Sequence, residues 1–228
     1  MSGFFRLRPF PLIGRLPFAQ RVPSKIRVRI ETLNRKWRRA YLRKTVPDGD
    51  FSIVACNCWG AGIYQDLDRP FHTPFIGLYL NPPCFLKYIA NYHQARLAPL
   101  RFTGTSRYPL PVTYPIGLLL DDIEVHFVHY KTIEEARDKW QRRSQRLPEN
   151  PDDAYFMLGT GTETLEDKKN FCALPLKHKV LFSAQPTPGF QEEVVVRPWR
   201  GSAMKEGPAL YDHCHAHFDV ARWLLNES

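Results

Sequence analysis

Residues 121–130, DDIEVHFVHY, carry the densest collection of reactive groups in this 228-residue chain. In an extended strand successive side chains alternate, so Asp122, Glu124, His126 and Tyr130 share one face and His129 lies opposite. Carboxylates beside imidazoles are the ingredients of general acid–base chemistry or of metal ligation. The same alternation is also what any half-exposed strand displays. Asp122, Glu124 or His126 is the candidate base that activates an acceptor hydroxyl, and no metal ligand set is assigned to them.

A second cluster lies in residues 51–64, FSIVACNCWGAGIY, where an apolar run meets a polar turn and then a glycine-bearing stretch. This reads as strand, tight turn and helix. In an open parallel sheet, ligands sit beyond the carboxyl ends of strands, and a helix start offers backbone N–H groups to an anion. Asn57, Cys58, Gly60 and Gly62 are placed for that role, although neither GxGxxG nor a P-loop is present. Cys58 near a helix N-terminus is a candidate nucleophile. In the alternative reading, Asn57 and Gly60 shape the turn while Cys56 and Cys58 pack as small apolar groups.

Other motifs carry less. His213 and His217 would stand one turn apart on a helix, but no second ligand pair accompanies them; a solvated or partly buried histidine cluster is the plainer reading. Cys56 and Cys58 are too few for a structural zinc site. Trp37 and Tyr41 in a basic helix could stack on bases, yet nothing matches a nucleic-acid module, so no nucleic-acid partner is expected.

The elements that position these groups follow from pattern. Residues 1–46 hold 13 of the 32 Lys and Arg and one of the 23 acids, Glu31, so this segment is +12 and the remainder −3. The basicity belongs to an arm, not to the domain. Residues 1–23 contain Pro9, Pro11, Pro17 and Pro23 and read as an extended Pro/Arg-rich arm. In 24–46, Ile26, Ile30, Leu33, Trp37 and Tyr41 form a helical stripe. The expectation is that this stripe packs on the domain; the alternative is an amphipathic helix on an anionic membrane surface. Residues 47–228 read as one α/β domain. Apolar runs at FIGLYL, LRFTG, the two pieces of YPIGLLLDDIEVHFVHY, AYFMLG, HKVLFSAQ and QEEVVVRPW predict strands. The helices fall at AGIYQDL, CFLKYIANYH, 132–146, TETLEDKKNFCAL and DHCHAHFDVARWLLN. Thr132 with Glu135 predicts a capping box. The alternation predicts an α/β three-layer sandwich, a mostly parallel sheet with helices on both faces. The scattered odd cysteines (56, 58, 84, 172 and 214) predict reduced thiols in a cytoplasmic setting. No run approaches a membrane span, and the N-terminus does not read as a usual secretory signal.

The motifs N-C-W-G, S/T-P-F-x-G-L, Y-P-I-G-x-L-x-D-I-E-x-H-F-x-H-Y and E-A-x-x-K-W-x-R-R, in this order over about residues 50–185, resemble a bacterial family of unknown function. Its members are often labelled exopolysaccharide biosynthesis proteins. The shared signature falls on Asn57, Cys58, Trp59, Gly60, Tyr64, Pro74, Gly77, Gly117, Asp122, Glu124, His126, His129, Tyr130, Trp140, Arg142 and Arg143. Cys56 and Ala61 stand where the family pattern has Asn and a second Gly, which reduces backbone freedom in the turn. The resemblance implies an α/β sandwich and a part in cell-surface polysaccharide assembly.

Together these readings describe a transferase acting on a sugar or nucleotide-sugar substrate, held at the inner membrane face by its basic N-terminus. Asp122, Glu124, His126 and Cys58 are its candidate catalytic groups. Asn57, Trp59, Gly60, Tyr64, His129, Tyr130, Arg142 and Arg143 are its candidate substrate-binding groups. No cofactor is assigned. The alternatives are a non-catalytic accessory protein of glycan assembly and a hydrolase pairing Cys58 with His126 or His129.

Overall fold

A computed structural model describes residues 24–109, 112–196 and 207–226. The expected arm at 1–23 and the strand end at Pro198 lie outside the described residues. The chain runs α1 (Ser24–Thr45), β1 (Ser52–Ala55), α2 (Trp59–Leu67), α3 (Pro82–Ala90), α4 (Tyr92–Ala95), β2 (Arg101–Thr103), β3 (Ile116–Leu119), β4 (Ile123–His126), α5 (Ile133–Ser144), β5 (Ala154–Leu158), α6 (Leu165–Ala173), β6 (His178–Ser183), β7 (Val194–Val195), α7 (Gly207–Cys214) and α8 (Val220–Leu224).

Strands β1, β5, β6 and β7 form a parallel sheet in the order β1-β5-β6-β7, and β2-β3-β4 form an antiparallel one. Neighbouring residues of β5 show the layering, because they point to opposite faces. Tyr155 packs on Trp223 of α8 with ring centroids 5.0 Å apart, and Phe156 packs on Tyr92 of α4 at 5.8 Å. Helices therefore cover both faces of the parallel sheet. On the first face Trp59 of α2 is fully buried among Phe182, Tyr211 and Trp223, each such pair adding about 0.5–1.5 kcal/mol beyond burial. Gly62 lets α2 meet α7, since a Cβ there would run into the Tyr211 ring.

Residues 75–80, expected as a strand, are not one. Gly77 takes φ +72 and Ile76 N–H closes a turn onto Pro74 O at 2.8 Å, so only the end of the segment is extended. That end joins the two sheets. Leu80 N–H donates to Cys56 O at 2.8 Å, while Tyr79 and His126 exchange both backbone bonds at 2.8 and 2.9 Å in an antiparallel bridge.

Helix α5 starts where its cap places it: Thr132 Oγ1 accepts from Glu135 N–H. Glu135, however, reaches Lys131 N–H instead of the cap residue, so the expected box is only half closed. The full box is in α6, between Thr164 and Asp167. The single C-terminal helix expected from sequence is two helices. Asp219 ends the break by accepting from Ala221 and Arg222 N–H.

Helix α1 corrects the expected packing in part: Tyr41 of the stripe is half-buried against the core and its hydroxyl donates to Asp219 at 2.9 Å, but the rest does not follow. Ile26, Leu33 and Trp37 are 50, 54 and 64% exposed, whereas Arg38 and Leu42 are buried. The reason is electrostatic. Arg38 Nε donates to buried Asp66, its Nη1 donates to Asp212 at 2.9 Å, and Arg39 Nε donates to Asp66 at 2.9 Å. Tyr211 Oη also donates to Asp66, and the Arg38 guanidinium lies 4.5 Å from the Tyr211 ring centre. This polar face, not the apolar stripe, attaches α1 to α2 and α7.

Removing one partner of a buried ion pair leaves an uncompensated charge, at a cost of about 3–5 kcal/mol. Asp66→Ala should lower stability by that amount in urea denaturation, while Arg35→Ala, whose partner bond to Asp212 is solvent-exposed, should cost less than about 1 kcal/mol.

Candidate functional site

The hairpin turn Leu120-Asp121, both at positive φ, ends β3 and starts β4. The strand then stops at His126, because the chain turns and His129 N–H bonds Gly77 O at 3.0 Å. All four residues of β4 are buried. The expected face of Asp122, Glu124, His126 and Tyr130 is therefore divided. Glu124 and His126 are together inside, 2 and 0% exposed; Asp122 sits in the turn at the surface; Tyr130 belongs elsewhere.

Glu124 is held from several sides. Its carboxylate accepts from Ser106 Oγ, from Arg107 N–H at 3.1 Å and from Arg107 Nε at 3.3 Å. Its backbone N–H donates to Cys84 Sγ at 3.3 Å, and that sulfur lies 3.2 Å from Tyr108 Oη. His126 Nε2 is 3.0 Å from Glu124 Oε1, a direct imidazole–carboxylate contact, while Nδ1 has no hydrogen-bond partner among the described residues. Three half-buried tyrosines surround the imidazole: Tyr79, Tyr108 and Tyr114, with ring centroids at 6.0, 6.4 and 5.8 Å. Burial lowers the His126 pKa although the Glu124 charge opposes the shift. The ring is therefore neutral near pH 7. Burial raises the Tyr108 and Tyr114 hydroxyls, with the bond to Cys84 adding to the first and the Glu124 charge to the second.

Asp122 forms the rim. Lys87 and Arg107 both donate to it, and these bonds bring its carboxyl down to about 2. It is an anchor for two cations at neutral pH and not a poised base.

The turn at the end of β1 is built inward. Asn57 Nδ2 donates to Gly159 O at 2.8 Å and its Oδ1 accepts from Trp59 N–H at 3.0 Å, so the amide ties β1 to β5. Cys58 Sγ faces Leu78 O at 3.6 Å beneath Gly207. Trp59 is core. Gly60 allows α2 close to β1, where a Cβ would lie 2.9 Å from Ile53. Tyr64 Oη donates to Phe51 O at 2.8 Å and accepts from Ile53 N–H. A third group gathers on α5: Tyr130 Oη donates to Ile76 O at 2.6 Å and accepts from Arg143 Nη1 at 3.1 Å. Arg143 also lies over Phe71. Arg142 lines an open cleft of about 510 Å³ with Trp140, Ser144 and Leu97, and none of the Glu124 cluster borders it. His129 is exposed. The candidate residues thus do not form one site: Glu124 meets His126, Tyr130 meets Arg143 and Asn57 meets Trp59, each in a separate place, while Arg142 and His129 stand apart.

The sequence reading missed Tyr79, Cys84, Lys87, Ser106, Arg107, Tyr108 and Tyr114. The one available signal is the aromatic, proline-broken stretch at 107–115, which reads as a loop; of it, Arg107, Tyr108 and Tyr114 lie against Glu124 and His126 of β4.

Fold and site define an α/β protein with a buried carboxylate–imidazole pair under an aromatic cover. The family described as Domain of unknown function (DUF1919) matches residues 29–224. An uncharacterized protein of Haemophilus influenzae (strain ATCC 51907 / DSM 11121 / KW20 / Rd) is 34% identical over 211 residues, 88% of this chain and 96% of that protein. The chain belongs to this family of unknown function, and the shared region includes α1 and the C-terminal helices.

Burial likewise lowers the pKa of His178 and, well below its ordinary value, of His215. Above about pH 6.5 these rings are neutral folded and unfolded, so they leave stability unchanged there. Below it the unfolded chain binds protons that the folded chain does not, and stability falls with pH. Urea denaturation between pH 7 and 5 should show this fall, and His126→Gln should flatten the slope by up to about 1.4 kcal/mol per pH unit.

Proposed function

We propose that this protein is a transferase of cell-surface polysaccharide assembly, acting in the cytoplasm on a sugar or nucleotide-linked sugar. The observation that carries this reading is the buried His126 with Nε2 3.0 Å from the Glu124 carboxylate and Nδ1 without a hydrogen-bond partner among the described residues. A neutral imidazole next to a fixed carboxylate suits removal of a proton from an acceptor hydroxyl, the carboxylate stabilising the imidazolium that forms. Tyr79, Tyr108 and Tyr114 offer apolar ring faces with polar tips, the mixed character a sugar ring presents in return. Lys87 and Arg107 at the rim would receive a donor phosphate in exchange for Asp122.

The complete burial of His126 favours a second reading, a non-catalytic glycan-binding accessory protein. The two are separated by assaying polymer production in cells lacking the gene and supplied with variants. Glu124→Gln and His126→Gln should each lower product about 10²- to 10⁴-fold while circular dichroism of the purified variants matches wild type. Tyr114→Ala should raise KM more than it lowers kcat. Wild-type polymer levels in His126→Gln would defeat the transferase reading. Retained glycan binding without turnover by the purified wild-type protein would establish the accessory one.

A further inference from the structure

Helix α1 is attached by its cations and turns its apolar stripe outward. Ile26, Leu33 and Trp37 are at least half exposed and fall within ~40° of one another around the helix axis at 3.6 residues per turn. Arg29 and Lys36 run along one flank and Lys44 continues the line of the stripe; all three are exposed. By contrast Arg35, Arg38, Arg39 and Arg43 are committed to Asp212 and to the side chain and carbonyl of Asp66. The described basic residues of the helix therefore divide in two, one set for the domain and one set beside the stripe. Its single acid, Glu31, is on the side away from the stripe.

What fits this face must take apolar side chains and anionic contacts along the same line. A second copy of the helix would bring basic flanks together, which repel. A nucleic-acid backbone would accept the cations but leave Ile26, Leu33 and Trp37 against phosphate. An anionic lipid surface accepts both, with the stripe below the headgroups and the cations among them. Tryptophan is the side chain enriched at that depth. The 23 residues that precede the helix in sequence add four Phe, four Arg and no acid. No helix among the described residues is long and apolar enough to cross a membrane, so the geometry is that of a helix lying in the interface.

We propose that α1 docks the protein on an anionic membrane, with Ile26, Leu33 and Trp37 inserted and Arg29, Lys36 and Lys44 on the headgroups. This stands independently of the transferase reading. The test is flotation of the full-length protein with vesicles of phosphatidylcholine alone or mixed with phosphatidylglycerol. The protein should float only with the mixed vesicles, and binding should weaken as salt rises. Leu33→Ala with Trp37→Ala should weaken it about tenfold or more. Glutamine at Arg29, Lys36 and Lys44 should weaken it on the order of a hundredfold. These side chains are exposed, so circular dichroism should stay unchanged. The proposal is overturned if wild type does not float with anionic vesicles at low salt, or if the Leu33/Trp37 variant binds as tightly as wild type. Self-association or RNA binding that depends on the same side chains, without vesicle binding, would also overturn it.

Discussion

The arrangement depends on three residues of backbone. The extended end at 78–80 has the parallel sheet on one side, through Cys56 O, and the antiparallel sheet on the other, through His126. Leu80 meets Cys56 and Leu78 meets Cys58, so the segment runs antiparallel to β1. It is also antiparallel to β4, which makes β4 run in the direction of β1. The carboxyl ends of both strands therefore face the same way. The N-C-W-G turn and His126 are thus linked through the same short segment, the first through Leu78 and Leu80 and the second through Tyr79. Beyond this junction the two sheets share one apolar core, in which Val125 and Phe127 lie with Ile53 and Phe156.

The turn itself serves structure. Asn57 uses its side-chain amide to fix β1 to β5, and Trp59 begins α2 inside the aromatic core. A turn so committed positions α2, whose far end presents Asp66 to α1. Sheet, turn, helix and ion pair form one chain of supports, and it ends by orienting the apolar stripe of α1 away from the domain.

Much of this was legible where the cause is local. The cap at Thr132, the apolar run before Asn57 and the alternation around Glu124 and His126 depend on nearby residues, and each element is present. The rest depends on partners far along the chain. The stripe Ile26–Leu33–Trp37 resembles a core face, yet Asp66 and Asp212, 28 and 174 residues from Arg38, draw a different face inward. Ser106 and Arg107 bond Glu124 from a loop whose prolines say only that it is not helical. The stretch 75–80 has strand composition, but Gly77 at positive φ bends it. Period-2 reading also carried Tyr130 onto the face of Glu124, because nothing local marks where β4 stops.

The Glu124–His126 pair is unevenly supported by the fold. Burying a carboxylate and an imidazole is costly unless their polar atoms are satisfied. Here the fold satisfies the acid more fully than the base. Glu124 accepts from Ser106 and twice from Arg107, whereas His126 has only the Glu124 carboxylate at Nε2 and no hydrogen-bond partner at Nδ1 among the described residues. The imidazole has no solvent exposure of its own, and the half-buried rings of Tyr79, Tyr108 and Tyr114 stand between the pair and the surface.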